Sequence, residues 1–235
     1  MSDLLNKQRQ QIIDLLKEKS VMKQDVFRNT ISAFGMMREV CREINNDLKS
    51  EVEKIDKRVS LNFFEVNQQA MQLKVAGDLL EFYMHTNVFE FDRSHPMFKT
   101  GYIKQNEYNS YCGIINIYNF LADSFTFNRY NDLGYLVARI FVNREMRFFM
   151  EAKGPIGLKH NTFSEGPLTK EVLKEIINDL ILFAISFDLF TPPFDAVREV
   201  TVNEMQEKTS SVSLRTGKRL GFGSSDDSYN EDLMV

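Results

Sequence analysis

Over the first sixty positions, hydrophobic residues recur at spacings of three and four. Leu4, Leu5, Ile12, Leu15 and Leu16 form an incomplete apolar stripe among Lys, Arg, Gln and Glu, which predicts a helix over 3–19. A second helical pattern covers about 24–59, where Val40, Ile44, Leu48, Val52, Ile55 and Val59 share one face. Arg42, Glu43, Asp47, Lys49, Glu51, Lys54, Lys57 and Arg58 flank that stripe with alternating sign. A narrow apolar seam with charged flanks suits a coiled coil or a long packed helix. The six seam residues are therefore expected to mediate oligomerisation. No proline precedes Pro96, so nothing forces a break, and Gly35 marks the one weak spot in the second helix.

The period then shortens to two. "QLKVAGDLLEFYMHTNVFEFD" predicts two strands joined near Ala76-Gly77-Asp78. "RSHPMFKTGYIKQNEYN" is expected to be a loop, and "YCGIINIY" with "LADSFTF" to be short strands or one bent strand. "GYLVARIFV" and "MRFFMEA" flank Asn143-Arg144-Glu145 and predict a hairpin, both arms being rich in β-branched and aromatic residues. "GPIGLKHNTFSEGP" reads as a loop. Thr169 then caps a third helix over roughly 170–188, with Val172, Ile176, Leu180, Phe183 and Phe187 on one face. "REVTV" reads as a last strand, and the polar, Gly/Ser-rich stretch from about 207 as a flexible tail.

The order predicts an α+β fold: a long N-terminal helical arm, an antiparallel β meander, a packed third helix and a flexible C-terminal tail. The corresponding division is 1–60 for the arm, 61–206 for the α+β domain and 207–235 for the tail.

Composition narrows the function classes. The formal net charge of −4 argues against broad nucleic-acid binding, which needs a basic footprint, and leaves room only for a local basic groove. Cys41 and Cys112 are too few for a disulfide framework and read as reduced thiols. The start "MSDLLNKQRQ" is polar, and the longest apolar run, "LILFAISF" at 180–187, is too short to span a bilayer. The expectation is a soluble, cytoplasmic protein without a membrane partner. Twenty Phe and no Trp, with many of the Phe on or beside predicted strands, imply strands that are apolar on both faces. The second face of the sheet is then expected to be covered by the arm, another subunit or a ligand.

One stretch carries candidate chemistry. "RFFMEAKGP", 147–155, ends an apolar strand in Glu151-Ala152-Lys153, while Asp132 precedes its hairpin partner "GYLVARIFV" and a helix follows. Alternation puts Glu151 and Lys153 on one face. This local order, over 132–190, resembles the PD-(D/E)xK nucleases. The resemblance implies that Asp132 and Glu151 would hold Mg²⁺ while Lys153 positions or deprotonates the attacking water. No Pro stands directly before Asp132, and a charged strand end leading into a Gly-Pro turn explains the same residues. Other chemistry finds no support. His85, His95 and His160 lack metal-ligand spacing, Cys112 has no assignable base, and "TGKRLGFG" at 216–223 lacks the spacing of a phosphate loop.

The leading reading is a non-enzymatic binding or assembly protein without a cofactor. It would form a homo-oligomer, or engage a protein partner, through the helical arm, and present an aromatic-rich sheet to a partner or ligand. The alternatives are a Mg²⁺-dependent nuclease using Asp132, Glu151 and Lys153, and a small-molecule sensor with a pocket between the sheet and the third helix.

Overall fold

The computed structural model describes residues 2–186, 188, 191, 193–203 and 205–206. The segment from 207, read above as a tail, and Phe187 of the third-helix face lie outside the described residues. The fold is α+β, as the pattern predicts.

The two N-terminal helical patterns form one continuous helix: α1 (Ser2–Leu15), a π-helical turn (Leu16–Ser20) and α2 (Val21–Ile55). At ~1.5 Å per residue it runs for about 80 Å. Gly35 does not interrupt it, because the flanking Phe34 and Met37 are locked into the core. The strands β1 (Leu61–Glu65), β2 (Ala70–Val75), β3 (Asp78–Met84), β4 (Phe89–Glu90), β5 (Tyr111–Leu121), β6 (Tyr135–Asn143) and β7 (Phe148–Ala152) form one antiparallel sheet. Its order is β1-β2-β3-β5-β6-β7, and β4 continues the line of β3 along the same edge of β5. The β2–β3 turn closes with Ala76, not a glycine, in the left-handed region at φ 53°.

Several segments differ from expectation. "LNFFE", β1, is a strand whose five residues are too few to display a period. "LADSFTF" is not a strand: after β5 the chain turns into α4 (Ala122–Thr126). The loop with Pro96 and Gly101 folds into a 3₁₀ turn (Pro96–Lys99), α3 (Gly101–Gln105) and a second 3₁₀ turn (Glu107–Ser110). His95, Thr100 and Asn106 cap them with their side chains. α5 (Ile156–Lys159) is a single turn, and α6 (Lys170–Ile185) is capped by Thr169 as predicted. α7 (Phe194–Val197) follows, and 198–202 form no strand.

The main core lies between one face of the sheet and the pair α2 and α6. Met71, Leu73, Leu80, Phe82, Ile115, Ile117 and Ile140 from the sheet meet Phe34, Met37, Val40 and Ile44 of α2 and Leu173, Ile176, Ile177 and Leu180 of α6. The middle of the first helix thus packs into the α+β core. The contact is close: a Cβ on Gly113 of β5 would stand 2.0 Å from Thr30 Oγ1, so only glycine lets α2 lie this near the strand.

Part of the opposite face is covered by the chain itself. Met97 and Ile103 pack on Cys112, Phe141 and Phe149, with Phe91, Phe98, Tyr102 and Phe163 around them. Phe141 and Phe149 stack at 4.5 Å between centroids. On the rest of this face Leu79 is buried, Phe64 and Tyr83 are exposed, and Gln72, Glu81, Tyr118 and Arg139 are half-buried.

Candidate interaction site

The first helix is longer than the body it packs on. From Met22 to Ile44 its apolar side is buried, and before the π-helical turn Leu4, Leu5, Ile12, Leu15 and Leu16 form an apolar stripe that stays exposed. Leu4 is 63% exposed, Ile12 58% and Leu15 58%, with Leu5 and Leu16 similar. The arm is helical because it extends a nucleus already held by the core, which removes the cost of starting a helix. It is rich in Leu, Lys and Gln, contains no Gly or Pro, and has an i,i+4 bond from Gln10 Nε2 to Asp14 Oδ1 at 2.9 Å.

An open cleft of about 610 Å³ lies in the angle between arm and body. Leu15 and Lys19 form one wall, and Glu90, Arg93, Lys104, Glu107, Tyr108 and Tyr111 are among the residues opposite. Leu15, at the C-terminal end of the apolar stripe, therefore borders the cleft. The π-helical turn sits here, and two tyrosines clamp it. Tyr108 donates its hydroxyl to Glu18 Oε2 at 3.3 Å. Lys19 and Lys23 stand 5.4 and 5.7 Å from the centroid of the Tyr111 ring. The Tyr111 hydroxyl donates to Glu90 Oε2 at 2.5 Å, and Arg93 bridges to Glu107 at 2.8 Å. Burial, then the hydrogen bond to Glu90, pushes the Tyr111 phenol above its ordinary range, so it stays a donor. The Tyr111 contact in turn holds the Lys19 ammonium above its usual value. The cleft is a mixed-charge, hydroxyl-lined recess with an apolar rim.

The predicted seam divides. Val40 and Ile44 are buried in the chain's own core, Val52 is half-buried, and Leu48, Ile55 and Val59 are exposed, Ile55 to 83%. Val59 lies past the helix end, in the turn before β1. The residues at the root of the arm carry no local signal. Glu18 and Tyr108 are 90 positions apart and meet only because α2 crosses the sheet to bring the arm beside β5.

The three residues that resemble the nuclease motif have separate partners. Asp132 is nearly buried, with Oδ2 2.9 Å from Arg129 Nε and accepting the Ser124 hydroxyl at 2.6 Å. Glu151 pairs with Arg139 across β6 and β7, and His95 Nε2 lies 3.5 Å from its other oxygen. Lys153 is exposed just past the strand, its backbone N–H donating to the Val137 carbonyl at 3.0 Å. Both carboxylates thus already have a cation beside them. Among the described residues no three His, Cys, Asp or Glu side chains gather where they would hold a metal ion. Burial pushes the Cys41 and Cys112 thiols up, away from the thiolate that nucleophilic chemistry needs. Between sheet and α6, where a sensor would have its pocket, the side chains of α6 and α2 pack on the strands.

No helix among the described residues is long and apolar enough to cross a membrane. Compared with known proteins, the chain matches no family model, no curated protein and no solved structure.

Proposed function

We propose that this chain is a binding or assembly protein whose N-terminal arm is its docking element. The observation that carries the reading is the exposed stripe Leu4, Leu5, Ile12, Leu15 and Leu16 on a helix that overhangs its own domain. An aliphatic stripe of this length left in water is unfavourable, and a packed partner removes that cost. The open part of the outer sheet face, with Phe64, Tyr83 and Tyr118, is a second surface for a partner or ligand. The geometry favours docking over metal-dependent cleavage, because Asp132 and Glu151 are each neutralised by an arginine.

The test is site-specific photo-crosslinking in the cells that make the protein. A photoreactive residue at Leu5 or at Ile12 is expected to give a discrete adduct, while one at Lys7, off the stripe, gives none. Absence of an adduct from both Leu5 and Ile12 rejects the docking reading.

A further inference from the structure

We infer that the occupant of the stripe is the arm of a second copy of this chain, packed antiparallel about a two-fold axis level with Gln10. The inference rests on the docking reading above and names its partner. Three observations carry it.

The first is spacing. The doublets Leu4-Leu5 and Leu15-Leu16 are equidistant from Gln10, as are Gln8 and Ile12. An antiparallel pair centred there sets each N-terminal doublet on the C-terminal doublet of the other copy, and Gln8 on its Ile12. The stripe is thus self-complementary, as a two-fold interface requires.

The second is the position of the stripe. Its C-terminal end meets the body, since Leu15 lines the cleft and Met22 and Val26 are buried just beyond. In a parallel pair the second helix would run on into the body of the first. In an antiparallel pair each body lies at the opposite end of the bundle, and Leu4 and Leu5 of the second copy reach the mouth of the cleft, near Leu15 and Tyr108.

The third is area. At roughly 100 Å² of apolar surface per fully exposed aliphatic side chain, five side chains near 60% exposure give about 300 Å² per arm and ~600 Å² per pair. With ordinary polar flanks this is an interface of about 1,000 Å², at the small, transient end of the range. Arg9 of each copy flanks the axis, and the like charges further weaken the pair. A reversible dimer follows, with a dissociation constant on the order of 10 µM or weaker.

The test uses the purified full chain. Light scattering across concentrations is expected to show a monomer–dimer equilibrium. Leu5→Asp with Leu15→Asp should hold the mass at the monomer value throughout, with the melting temperature of the dilute protein unchanged. Arg9→Glu mixed with the native chain should form the mixed dimer several-fold more readily than either chain pairs with itself. Cys41 and Cys112 are buried, so introduced cysteines report alone. A Leu5→Cys chain mixed with a Leu15→Cys chain should form a disulfide between the two. Leu5→Cys alone should not, because antiparallel packing separates its two copies by ~15 Å along the axis. A chain that stays monomeric at hundreds of micromolar overturns the inference, as does Leu5→Cys linking to itself as readily as to Leu15→Cys. If the chain is monomeric yet Leu5 and Ile12 crosslink to a different protein, only this inference fails; if they crosslink to nothing, the docking reading fails with it.

Discussion

Asn143 closes the β6–β7 hairpin and ties it to the rest of the molecule. Its side-chain oxygen accepts from the backbone N–H groups of Glu145 and Arg147 at 3.0 and 3.1 Å. Its amide donates to the Tyr102 hydroxyl at 2.8 Å and to the Asn109 carbonyl at 3.4 Å. Its own carbonyl accepts from Asn29 of α2 at 3.2 Å. The residue is fully buried, and every hydrogen-bonding position of the side chain is used. Asn143→Leu keeps the branching at Cγ, but it overfills a fully buried site and orphans several buried groups, so it should cost about 3–4 kcal/mol in chemical denaturation. Glu81 on the open sheet face is the reverse case. Burial raises its carboxyl pKa, against a smaller lowering by Gln72, and Oε2 has no hydrogen-bond partner. The native carboxyl therefore keeps its proton to a higher pH than the unfolded one. Its contribution is full below the unfolded value and is lost as pH rises through the native value. Glu81→Gln should raise the melting temperature at pH 7, and the difference should vanish by about pH 4, near the unfolded carboxyl value. A lower melting temperature at pH 7 would mean that the charge is satisfied in solution.

At the scale of elements, legibility followed the range of the forces involved. The β6–β7 hairpin and α6 were visible because alternation, a polar turn and a capping threonine act within a few residues. β1 was not visible: its five residues become a strand by pairing with β2 and burying Leu61. The segment 93–109 reads as a loop because Pro96 and Gly101 punctuate it, yet Met97 and Ile103 fill the outer aromatic core once the sheet is in place. The seam from Val40 to Val59 shows why spacing alone does not assign a partner. A stripe at three and four suits a second helix and a sheet equally, and here the sheet takes Val40 and Ile44. The two positions should therefore respond differently. Ile44→Asp puts a charge into the core and should cost about 4 kcal/mol or more. Leu48→Asp, at 38% exposure, should cost less, about 1–2 kcal/mol. Equal effects in denaturant titrations would mean that the α2 packing differs from this one.

For the whole molecule, the sheet and its two covers form a closed unit, and the arm is surplus to it. α2 and α6 bury one sheet face, the 91–106 segment buries part of the other, and the core needs nothing from residues 2–15. Fold stability and assembly are then separable, with the clamps at Tyr108 and Tyr111 marking the boundary. Removal of residues 2–15 should leave the melting temperature of the dilute protein within about 2 °C of the intact chain, since it deletes exposed helix and no core contact. The two should diverge on concentration. Association stabilises the native state by mass action, so the intact chain should melt higher as its concentration passes the dissociation constant, and the shortened chain should not. A calorimetric series from about 1 to 500 µM, spanning the expected dissociation constant on both sides, reads both effects. A large drop in the dilute melting temperature would make the arm part of the fold. A shortened chain that kept the concentration dependence would move assembly away from the arm, to the open sheet face or the exposed residues at the end of α2.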